Sequence, residues 1–118
     1  MKTAKWTLLS FAVVAVIGFL FFAPQPVQAG GSGDDLAEAR ATYQKMCASC
    51  HAKDGSGDTP TGKKMGVRSF KHPDVKKMTD AELTTVTAKG KGKMPGYEKK
   101  LNAAQIKAQV KLVREMGK

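Results

Sequence analysis

The chain has 118 residues, a formal net charge of +10, 42% hydrophobic residues and two cysteines. That length excludes a multidomain protein, and two cysteines at positions 47 and 50 exclude the disulfide framework that staples many small exported domains. The lysine excess points to a negatively charged partner.

Residues 1–29, "MKTAKWTLLSFAVVAVIGFLFFAPQPVQA", carry Lys2 and Lys5, then an apolar run from Leu8 to Ala23, and end on Val27-x-Ala29. That order is a secretory signal peptide cleaved after Ala29. The alternative is an uncleaved anchor, although the run of 16 residues falls just below the roughly 17–25 that span a bilayer core. No cysteine lies near the boundary, so a lipid-modified N-terminus is excluded. Cleavage leaves 89 residues with 18 basic and 10 acidic groups. A chain of that size buries only about 60–65% of its unfolded surface, so its core is marginal unless a bound group completes it.

Residues 30–34 form a flexible linker, and one domain follows over 35–118. A first helix is predicted from residue 34 or 35 to Cys47. Acids crowd its first turn, and Leu36, Ala39, Tyr43 and Met46 repeat at helical spacing. Residues 52–62, "AKDGSGDTPTG", are turn chemistry, and residues 63–78 show no clean period. Thr79-Asp80-Ala81-Glu82 has the form of a capping box and opens a helix that ends before Gly90 and Gly92. Asn102 to Gln105 opens the last helix, whose apolar stripe is Ile106, Val110 and Val113 with Leu112 beside it. No alternating β-branched run appears. The expected fold is all-α, three to four helices joined by long loops. The 28 residues between Cys50 and Thr79 are too many for a structureless loop in a compact domain unless they wrap something.

"KMCASCH" (45–51) supplies what they could wrap. Cys-x-x-Cys-His is the attachment signature of c-type haem. Each thiol adds across one porphyrin vinyl group, and the neighbouring imidazole of His51 then lies on the iron axis. The other ring nitrogen is expected to donate to a backbone carbonyl, with the loop near Pro60 as candidate. A thioredoxin-like pair would need a βαβ context. Zinc would need Cys47, Cys50, His51 and His72 on one tetrahedral centre, which adjacent Cys50 and His51 hinder. A local disulfide would leave His51 unexplained.

The opposite face of the iron has several candidates: Met94, Met65, His72, or an open position. Met46 adjoins the attachment turn, Met116 sits at the chain end, and Met78 precedes a helix cap. Met94 has the most suitable setting, "KGKGKMPGY" (89–97), with glycines that allow close approach and Pro95 to stiffen the chain after it.

Tyr43, "CASCH", "KDGSGDTPTGKKMG", Phe70, "TDAEL", "GKGKMPGY" and the closing helix ending "LVREM" together resemble a class I c-type cytochrome over residues 34–116. The resemblance implies a cytochrome c fold around one covalently bound haem c, with Cys47 and Cys50 as thioethers and His51 and Met94 as axial ligands. It implies that the first and last helices cross at one haem edge, with Ala39 where that crossing usually has glycine and Leu112 where an aromatic is common. It also implies a histidine-bonding carbonyl after a proline, a place Pro60 would fill. Leu36, Tyr43, Phe70, Leu83, Leu101, Ile106, Val110 and Val113 would bury the ring.

Six-coordinate iron would carry electrons and catalyse no bond chemistry, so a non-enzymatic, monomeric shuttle in the periplasm is expected. The alternative is a haem-based sensor or small redox subunit with an open distal site. Residues 63–100 hold eleven basic and four acidic groups. Of these, Lys89, Lys91, Lys93, Lys99 and Lys100 would ring the exposed haem edge and steer acidic surfaces of redox partners: a quinol-oxidising complex, a terminal oxidase or a dehydrogenase. Nucleic acid is not an expected partner, and a membrane is one only if the N-terminal segment is retained. Lysines kept merely for solubility are the plainer alternative.

Overall fold

The computed structural model describes residues 32–118. The expected signal segment and residues 30–31 lie outside the described residues. Six helices and one two-stranded hairpin occur among the described residues. In chain order they are α1 (Ser32–Met46), α2 (Ala48–His51), α3 (Pro60–Met65), α4 (Pro73–Lys77), α5 (Asp80–Lys89), β1 (Gly90–Lys91), β2 (Met94–Pro95) and α6 (Ala103–Met116). The helical expectation holds, with three substantial helices and three short ones.

Helix α1 starts at Ser32, earlier than the linker reading placed it, with Asp34 and Asp35 in its first turn beside the positive helix end. It stops at Met46, and Cys47 becomes the N-cap of α2. Residues 60–77 are more regular than the sequence suggested. Pro60 and Pro73 each open a short helix at its first turns, where a missing N–H costs nothing. The Thr59 hydroxyl caps α3, accepting from Gly62 N at 2.8 Å. Helices of six and five residues are too short to display a hydrophobic period.

Both sequence-predicted boxes form. Thr79 and Glu82 cap α5 reciprocally, and Asn102 and Gln105 do the same for α6. The core cluster joins Ala39 and Tyr43 of α1, Phe70, and Leu112 of α6, whose side chain is 1% exposed. The α6 stripe is broader than expected: Ile106, Gln109, Val110 and Leu112 are buried, whereas Val113 is only partly so. Gln109 is tolerated inside because its Nε2 donates to the Ala39 carbonyl at 2.9 Å. Arg40 and Glu115 pair at 2.9 Å, and Gln105 Nε2 donates to Glu38 at 3.1 Å, flanking the same contact. Arg114 of α6 pairs with Asp80 at 2.8 Å and donates to the Lys76 and Met78 carbonyls, fixing the entry to α5.

Candidate functional site

Cys47, Cys50 and His51 occupy one helical turn at the junction of α1 and α2. Both thiols are free and half-buried. Burial, then the nearby Cys50, pushes the Cys47 thiol up to about 11. Desolvation lowers the His51 pKa, which favours the neutral, metal-binding form of the ring. The imidazole stacks on Phe70, with centroids 5.0 Å apart and planes 27° apart. Tyr43 meets the other side of that cluster edge-on, 6.2 Å from Phe70. Its buried hydroxyl donates to the Ala52 carbonyl at 2.7 Å.

Two backbone features hold the turn. Ala52, the C-cap of α2, has φ 64°, and among the described residues it is the only non-glycine in the left-handed region. Such strain is retained where surrounding contacts over-determine it; here Tyr43 binds Ala52, and Gly57 N donates to the adjacent His51 carbonyl at 2.9 Å. On the other side α3 lies directly against the turn. The Thr59 hydroxyl reaches the Ser49 carbonyl at 2.9 Å and the Cys50 carbonyl at 3.3 Å. A Cβ on Gly62 would collide with the Cys50 and Gly57 carbonyl oxygens, so only glycine fits there.

The expected bond from His51 to the Pro60 loop is absent. The Nδ1 atom is buried and has no hydrogen-bond partner. The loop reaches the attachment turn through Thr59 and Gly57 instead, which leaves the imidazole Nδ1 without a hydrogen bond. An unsatisfied buried nitrogen of this kind costs about 1–3 kcal/mol.

The methionines separate by setting. Met46 and Met65 are exposed, and Met116 packs against the core cluster. Met78 is half-buried, with its carbonyl bound by Arg114. His72 caps α4, its Nδ1 accepting from Asp74 N at 3.2 Å. Met94 is half-buried in the β1–β2 hairpin, where Lys91 faces Met94 and Gly90 faces Pro95. Gly90 has φ 83°, and a Cβ there would stand 2.5 Å from the Met94 carbonyl oxygen, so the tight hairpin needs glycine at this place.

One bond joins this hairpin to the attachment turn. The Tyr97 hydroxyl donates to the Met46 carbonyl at 3.0 Å, immediately before Cys47. Burial, then Cys47 and Cys50, raises the Tyr97 pKa. Sequence reasoning singled out Cys47, Cys50, His51 and Met94 but missed Thr59, Gly62 and the Tyr97 bond. The Thr-Pro pair at 59–60 is a helix-start signal that would have found Thr59.

Among the described residues no group of three or more His, Cys, Asp or Glu side chains could hold a bare metal ion. The arrangement fits an iron porphyrin: two thiols on one turn, a neutral imidazole with an orphaned nitrogen, and a thioether on a hairpin tied to the same turn. Among the expected ring-burying residues, Tyr43, Phe70, Leu83, Leu101, Ile106 and Val110 are buried.

The solved structure of the KustC0563 c-type cytochrome is similar to this chain, with a TM-score of 0.62 and 28% identity over 68% of this chain and 98% of that one. None of the curated proteins matches. The family model described as "Cytochrome C oxidase, cbb3-type, subunit III" matches residues 34–113, and the chain belongs to that family of c-type cytochromes.

Proposed function

We propose that the protein is an exported one-electron carrier whose haem c is held by Cys47 and Cys50 as thioethers and by His51 and Met94 as axial ligands. The observation that carries this reading is the half-buried His51 ring, its Nδ1 buried and without a hydrogen-bond partner, on the same turn as two free thiols. The bound haem supplies a metal that changes charge by one unit without breaking bonds.

The chain's own residues do the rest. Thr59, Gly57 and Tyr43 hold the attachment turn rigid from three sides. Phe70 presses on the His51 ring and limits its rotation. Low polarity beside the site, from Phe70 and the core cluster that Cys47 packs against, would disfavour the more positive ferric state. The Met94 thioether does the same relative to a second imidazole.

Docking would fall to the lysines of the Met94 hairpin and its neighbours. Lys89 is committed to Glu98 at 2.6 Å, and Lys100 lies over the Tyr97 ring at 5.9 Å. Lys91, Lys93 and Lys99 are exposed, so they would carry the steering charge toward acidic faces of a quinol-oxidising complex, a dehydrogenase or a terminal oxidase. Steering of this kind gives fast, salt-sensitive, short-lived encounters. Among the described residues no helix is long and apolar enough to cross a membrane. Periplasmic placement rests on the N-terminal sequence.

An optical spectrum tests the ligand assignment. The oxidised protein should be low-spin, with a weak sulfur-to-iron band that Met94→Ala abolishes while rendering the reduced form reactive to carbon monoxide. A high-spin oxidised wild type that binds carbon monoxide readily would contradict it.

A further inference from the structure

Helix α1 cannot run on into α2. The amide of Cys50 turns to the Cys47 carbonyl at 3.1 Å, and His51 N bonds the same oxygen at 2.9 Å. The Met46 carbonyl therefore loses the amide that an unbroken helix would bring from four residues on. Its partner comes from 51 positions along the chain: the Tyr97 hydroxyl, at 3.0 Å.

Tyr97 is itself anchored. Its amide donates to the Thr87 carbonyl at 3.0 Å, the Glu98 amide to Ala88 at 3.1 Å, and Leu101 N returns to the Tyr97 carbonyl at 2.9 Å. The hairpin bearing Met94 is thus fastened at its base to α5, and its one side-chain bond across to the attachment turn is the Tyr97 hydroxyl. Lys100 over the ring face further limits the rotamers of Tyr97.

We propose that Tyr97 is a positioning residue, which keeps the Met94 hairpin closed on the attachment turn by occupying the carbonyl left free at the α1–α2 break. The proposal rests on the reading that Met94 is an axial ligand. Losing the hydroxyl leaves the ring packing in place and unties only the cross-link, so Met94 should yield its position to a competing ligand more easily while the helical core is unaffected.

The test uses the purified holoprotein in the oxidised state, titrated with imidazole and followed by the sulfur-to-iron band. Tyr97→Phe is expected to lower the imidazole concentration for half-displacement about fivefold, the worth of one hydrogen bond. Its covalently attached haem and its helical circular dichroism should match wild type. Tyr97→Leu, which also removes the ring, should lower it further. A purely structural role would reduce the unfolding midpoint and leave the imidazole titration unmoved, and that outcome overturns the proposal. If Met94→Ala retains the sulfur band, the underlying ligand assignment falls instead, so the two failures are distinguishable.

Discussion

Ala52 and Gly62 show how much of the site depends on single backbone positions. Ala52 holds φ 64° beside the histidine, a conformation that glycine adopts without strain. Ala52→Gly should therefore raise the free energy of unfolding by about 1 kcal/mol, read by urea denaturation. Gly62 is the opposite case. Alanine there would collide with two backbone carbonyls, neither able to move without opening the attachment turn. Gly62→Ala should cost about 2 kcal/mol or more in the same measurement. Cys47, Cys50 and His51 could be proposed from the sequence because the chemistry of thioether attachment dictates that spacing. Gly62 was not, because its requirement is a tertiary approach between α3 and the Cys50 carbonyl that no local pattern records.

At the scale of elements, caps proved more informative than periodicity. The Thr79–Glu82 box marks the start of α5 because its two hydrogen bonds are local, at 3.2 Å and 2.7 Å. Bonds from the Thr79 amide and hydroxyl hold the Glu82 carboxyl below its usual pKa. A depressed folded value means that this contribution is complete above the ordinary glutamate range and is lost as pH falls through the lowered pKa. Thr79→Ala should cost about 1 kcal/mol at neutral pH, and the loss should shrink on acidification through that range. Residues 60–77 went unread as helices because α3 and α4 have one or two turns each; α3 is held by its Thr59 cap against the attachment turn, and α4 by its His72 cap and by Val75 against the core. The apolar stripe of α6 was legible, but buried Gln109 was not, since only its bond to the Ala39 carbonyl makes it acceptable inside.

At the scale of the whole molecule, the proposed function turns on charge and covalent attachment. With 18 basic against 10 acidic groups after cleavage and exposed lysines in and beside the Met94 hairpin, the protein should reduce an anionic oxidant such as ferricyanide more slowly as ionic strength rises. Lys93→Glu should lower that rate at low salt and flatten its salt dependence. The most direct test of the account is acidified organic extraction of the purified, exported protein, followed by its intact mass. Colour that stays with the polypeptide, and a mass equal to residues 30–118 plus one haem, is the predicted result. Pigment that passes into the solvent, or a mass of polypeptide alone, would contradict it.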